Sequence, residues 1–117
     1  MDKLTDFFKL LSDETRLRIL VLLHHKKLCV CEMCGVMDEA QPKVSKHLAK
    51  LRDMGIVKDE RQEQFIYYYL TLEDELLKEI LEKIVKNLEN YPVLKSDAEK
   101  INNTKKFREV CETSNKL

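Results

Sequence analysis

Gln41-Pro42-Lys43-Val44-Ser45-Lys46-His47-Leu48-Ala49-Lys50-Leu51 reads as one helix with two unlike sides. Val44, Leu48 and Leu51 make an apolar face at helical spacing, and Gln41, Lys43, Ser45, Lys46, His47 and Lys50 are placed off it. Pro42 falls in the first turn, where a missing N–H costs nothing, and Gly55 follows the last turn as its stop. Upstream, Cys31 to Met37 reads as a shorter helix, with Gly35 its weak point or early stop. Asp38-Glu39-Ala40-Gln41 is a tight polar connection between the two. Two short helices joined by such a turn make a helix-turn-helix.

The flanks complete the pattern. Leu4, Phe7, Phe8 and Leu11 recur on one face of a first helix. Ser12-Asp13 is an N-cap signal for a second helix, cored by Leu17, Leu20, Val21 and Leu23, and His24-His25-Lys26-Lys27 is a polar break. After the helix-turn-helix, Ile56 to Arg61 and Phe65 to Leu70 are β-rich around a Gln62-Glu63-Gln64 turn, which predicts a hairpin. Leu72, Leu76, Leu77, Ile80, Leu81, Ile84 and Leu88 mark a long amphipathic helix whose stripe exceeds what one small domain buries. A partner copy of the chain is the expected cover. The dimerisation surface then draws on Leu4, Phe7, Phe8, Leu76, Leu77, Ile80, Leu81, Ile84 and Leu88. Residues 1–90 form one DNA-binding and dimerisation domain, and residues 91–117 a loose polar tail with one weak helix over Ala98 to Cys111. The fold expected is mostly α with a β-hairpin wing, a winged helix-turn-helix.

Composition agrees. Of 117 residues, 36% are charged and 44% apolar, with 2 Gly and 2 Pro, which excludes collagen-like, all-β and low-complexity chains. No apolar run reaches the roughly 18 residues of a membrane span, and the first residues lack a signal-peptide profile. A cytoplasmic protein is expected, with no membrane partner. The net charge is zero, but residues 41–61 carry six basic against three acidic side chains, and residues 73–90 the reverse. Charges beyond a Debye length of about 8 Å are screened, so a polyanion meets the basic segment rather than the average.

That basic segment suits double-stranded DNA. A helix in the major groove offers its early side chains to base edges, where Gln suits adenine and Lys guanine. Further Lys and Ser side chains bind phosphate, which positions without specifying. The candidate DNA-contacting residues are Gln41, Lys43, Ser45, Lys46, His47 and Lys50, with Arg61 on the wing. A solvated helix face is the alternative, and the flanking turn and hairpin weigh against it.

Three of the 4 Cys, Cys29, Cys31 and Cys34, crowd into six residues. Clustered thiols in a reducing compartment bind metals or react, whereas disulfide frameworks spread their cysteines. Three soft thiolates suit a trigonal ion with a lone pair better than zinc, whose structural sites take four ligands. Cys31 and Cys34 share a helix face and Cys29 points away, so one ion reaching all three must unwind the start of that helix. A distorted turn beside the reading helix would supply the differential affinity that release from DNA needs.

Leu11-Ser12-Asp13-Glu14-Thr15-Arg16-Leu17-Arg18-Ile19-Leu20, Leu28-Cys29-Val30-Cys31-Glu32-Met33-Cys34 and Gln41-Pro42-Lys43-Val44-Ser45-Lys46-His47-Leu48 resemble, in order, three motifs of the arsenical-resistance repressor (ArsR/SmtB) family. The resemblance runs from Phe7 to Leu72, and the wing tip departs from it, with Glu63 and Gln64 where a Gly is common. It implies a transcriptional repressor, not an enzyme, released from its operator when As(III) or Sb(III) binds Cys29, Cys31 and Cys34, with no organic cofactor. A thiol-based redox repressor of the same fold is one alternative. A Cd(II), Pb(II) or Zn(II) sensor with a fourth ligand is another. His24 and His25 read as surface or capping residues, and Cys111 as incidental to the site or a fourth ligand. A thiol oxidoreductase built on Cys31-Glu32-Met33-Cys34 needs a βαβ setting that this chain does not offer.

Overall fold

In the computed structural model, which describes residues 2–115 and the side chains of residues 2–110, helices enclose a small sheet. The order is α1 (Lys3–Leu11), α2 (Glu14–His25), β1 (Leu28–Cys29), α3 (Val30–Met37), α4 (Gln41–Asp53), β2 (Val57–Gln62), β3 (Phe65–Leu70), α5 (Glu75–Val85), a 3₁₀ turn (Leu88–Asn90), α6 (Pro92–Lys100) and α7 (Lys105–Asn115).

Three helices begin on aspartate caps. The Asp2 carboxylate accepts from the Thr5 N–H at 2.8 Å, Asp13 from Arg16 at 3.0 Å, and Asp74 from Leu76 and Leu77 at 3.0 and 3.2 Å. Each such cap meets an orphan donor of the first turn. Pro42 opens α4 as expected. At its far end Gly55 adopts φ +75°, and the N–H groups of Gly55 and Ile56 bond the Arg52 and Leu51 carbonyls at 3.0 Å each. α3 closes differently, with Asp38 in the left-handed region at φ 54°, so Gly35 does not stop it.

The wing hairpin forms where the sequence places it, with Glu63 at φ 58° in the tight turn. It gains a third strand that the sequence reading missed. β1 pairs antiparallel with β3, Leu28 opposite Tyr68 and Cys29 opposite Tyr67, giving the order β1-β3-β2. The core is built on α2, whose Ile19, Leu20, Val21 and Leu22 are fully buried among Phe7, Leu10, Met33, Val36, Leu48, Leu51 and Leu81.

Three expectations need correction. The long helix is shorter, ending at Val85, with Leu88 in the 3₁₀ turn. Phe7, Leu77 and Leu81 are buried in this chain's own core, so they are not free to face a partner; α5 must first cover α2. The expected loose tail with one weak helix is instead two helices, α6 against α2 and α7 against α3. Among the described residues no helix is long and apolar enough to cross a membrane.

Candidate nucleic-acid interface and thiol site

On α4 the side chains of Gln41, Lys43, Lys46 and Lys50 are exposed, and Ser45 is half-buried. Lys43 reaches back to Glu39, Nζ to Oε1 3.2 Å. Lys46 and Lys50 make no hydrogen bond or ion pair among the described residues, which leaves both ammonium groups to solvent. Arg52, at the end of α4, bonds Asp59 of β2 at 3.0 Å and ties α4 to the wing. Arg61 is exposed near the wing tip, its Nε donating to the Glu63 carbonyl at 3.4 Å.

His47 is the exception. It is buried, with Nε2 3.8 Å from Asp13 Oδ1, and so does not join the exposed row. The reason is helical spacing: His47 stands three residues after Val44 and shares its inward face. Burial pushes the imidazole pKa below the ordinary 6.5, while Asp13 opposes the shift. His47 is therefore a packing residue that anchors α4 to the start of α2.

The three clustered cysteines fall into different environments. Cys29 is the N-cap of α3 and lies on β1, buried to 1% exposure. Its N–H donates to Glu32 Oε1 at 3.0 Å, and burial holds its thiol protonated, with the pKa pushed up to about 11. Cys34 is a half-buried free thiol on α3, also shifted upward by burial. Cys31 is disulfide-bonded, against the expectation of three free thiols. The Cys111 side chain lies outside the described residues. Among the described residues no three His, Cys, Asp or Glu side chains converge to hold a metal ion. His24 and His25 are both exposed at the end of α2, their rings 6.1 Å apart edge to face.

A cluster invisible to the sequence reading connects these parts. Arg18 of α2 makes a two-pronged bond to Asp97 of α6, Nε to Oδ2 2.8 Å and Nη2 to Oδ1 2.9 Å. The same Nη2 donates to the Met37 carbonyl at 2.8 Å, closing the end of α3, and Nη1 is 3.7 Å from Glu39 in the turn. The Asp97 carboxylate beside it keeps the guanidinium firmly charged. An arginine amid the apolar run of α2 was the available signal; nothing near Asp97 in sequence points to its partner.

The family described as "Bacterial regulatory protein, arsR family" matches residues 13–59, from the start of α2 into the wing. The arsenical resistance operon repressor of Escherichia coli (strain K12) is 48% identical over 65 residues, 55% of this chain and 56% of that protein. An uncharacterized HTH-type transcriptional regulator of Methanocaldococcus jannaschii is 36% identical over 84 residues, 71% of this chain and 92% of that one. The crystal structure of the transcriptional regulator HlyU from Vibrio vulnificus CMCP6 superposes with a TM-score of 0.64 at 33% identity, covering 72% of this chain and 85% of that one. The match to the Escherichia coli repressor thus spans little more than half of that protein's length. Helix-turn-helix, wing and matched segments coincide, and the chain belongs to the arsR family of bacterial regulatory proteins.

Proposed function

We propose that this chain is a DNA-binding transcriptional repressor that leaves its operator when a soft thiophilic ion, As(III) or Sb(III), binds the thiols of Cys29, Cys31 and Cys34. The observation that carries the reading is the placement of those cysteines at the cap of, and along, the helix that packs directly against α4. The resemblance to an arsenical resistance operon repressor supports the choice of ion. Thiolates must form to bind it, and with Cys29 at the N-cap and Cys34 a full turn on, one ion can join them only by re-setting the start of α3. The decisive measurement is release from DNA in reductant with As(III), Sb(III), Cd(II), Zn(II) and peroxide side by side. Release by As(III) or Sb(III) alone is the expected result, and release by Cd(II) or Zn(II) alone would replace the proposed ion.

A second reading has one observation in its favour. The disulfide at Cys31 fits a repressor switched by thiol oxidation. In the same panel, release by peroxide without any ion selects it.

The reading face makes its own prediction. Lys46→Ala and Lys50→Ala should each weaken binding to every sequence alike and lower the salt slope by about 1, as loss of one phosphate contact does. Gln41→Ala should relax preference at one base position. Unchanged affinity and slope in both lysine variants would mean that α4 does not lie on DNA.

Two-fold symmetry completes the proposal. Leu4, Phe8 and Leu76 remain 39%, 52% and 52% exposed, and with half-buried Ile80, Ile84 and Leu88 they offer a homodimer surface. Two reading helices would then meet half-sites about 34 Å apart. Sedimentation should show a dimer at micromolar concentration; a monomer removes this arrangement.

A further inference from the structure

The helix α7 lies along α3. Among the described residues, two of its side chains make contacts there. The Phe107 ring covers Gly35 so closely that a β-carbon there would run into it. A glycine in the interior of α3, unfavourable for a helix by about 1 kcal/mol, thus has a use as the seat for a ring.

Arg108 makes the second contact, at the opposite end of α3. Its Nη1 donates to the Tyr67 hydroxyl at 3.2 Å, and its Nε lies 3.7 Å from Glu32 Oε2. Glu32 is only 3% exposed, and its other oxygen holds the Cys29 N–H. Among the described residues, Arg108 is the one cation beside it. Removing an only counter-charge from a buried carboxylate is strongly unfavourable, so α3 in its helical form is coupled to α7 in its docked form. The joint before α7 is fastened too, with Ile101 and Thr104 buried and Lys26 Nζ 3.3 Å from Thr104 Oγ1.

We infer that α7 is a strap on the sensing helix: Phe107 on Gly35 and Arg108 on Glu32 and Tyr67 hold α3 helical, and the strength of that docking sets the inducer concentration at which the protein leaves DNA. The inference rests on the reading of α3 as the sensor. An ion that must unwind the start of α3 works against the strap, because the buried Glu32 loses its helical place and its cation together. Phe107 and Arg108 are positioning residues; neither touches the ion.

Backbone hydrogen exchange on the full chain in reductant tests this, together with arsenite titration of the DNA complex. Phe107→Ala and Arg108→Gln should speed exchange across residues 33–37 about tenfold, with amides of α4 unchanged, and lower the half-release arsenite concentration by a similar factor, the size of an ordinary coupling between sites. Val110→Ala, at an α7 position 67% exposed, should match wild type in both. Equal acceleration in α3 and α4, or none in either variant, overturns the strap whatever arsenite does. Faster α3 exchange in a protein that arsenite never releases leaves the strap standing and removes the thiolate reading instead. Faster α3 exchange with an unchanged release midpoint overturns the link to sensing.

Discussion

Replacing Arg18 by methionine should cost about 3–5 kcal/mol of folding stability, the range for removing one partner of a buried ion pair. The side chains concerned are 12% and 2% exposed for Arg18 and Asp97, so neither can recover hydration without the fold opening. Arg18→Met leaves the Asp97 carboxylate buried without its partner and the Met37 carbonyl without its donor. Asp97→Leu should cost less, since Arg18 keeps the Met37 carbonyl and the neighbouring Glu39. The double variant Arg18→Met/Asp97→Leu should recover much of the loss, because an apolar pair of similar volume often matches a buried ion pair. Urea unfolding of the four proteins checks the series. A loss below about 1 kcal/mol for Arg18→Met would show that the pair is solvated in solution.

Cys34→Ser should keep DNA affinity within about twofold and raise the arsenite concentration for release by at least about a hundredfold. A serine hydroxyl is a hard, poorly ionised donor that cannot replace a thiolate toward a soft ion. Cys31→Ser should do the same in reductant, where the disulfide is opened. Cys29→Ser should be milder in binding than in release: two thiols on α3 can still hold the ion, but nothing then pulls on the N-cap. Cys111→Ser should behave as wild type. Release of Cys34→Ser at the wild-type arsenite concentration refutes the three-thiol site, and so does loss of release in Cys111→Ser.

The parts of the molecule legible in the sequence were those with local causes. The Asp13 cap, Pro42 and Gly55 each act within one turn of helix, and α2, α4 and the hairpin followed from them and from periodicity. β1 could not be read that way, because two residues carry no period and owe their strand to Tyr67 and Tyr68 nearly forty positions on. α6 was missed, and α7 was expected only as a weak helix over Ala98 to Cys111, for a related reason. Their anchors, Asp97 to Arg18 and Arg108 to Glu32, join residues more than 70 apart, and a polar composition hid them. His47 was different: its spacing from Val44 marked it as inward-facing, and its polarity outweighed the count. The thiol motif was visible as a motif, but burial of Cys29 depends on what the fold lays against it.

The short strand before α3 gives α3 and the wing a common pivot. Cys29 is at once the cap of α3 and the rung opposite Tyr67 of the wing. A pull on its sulfur therefore travels by two routes, along α3 into α4 and across the sheet into the hairpin. On the proposed function, loosening one residue would slacken α4 and the wing in the same stroke, and a hold on DNA that used both arms would then fail as a unit.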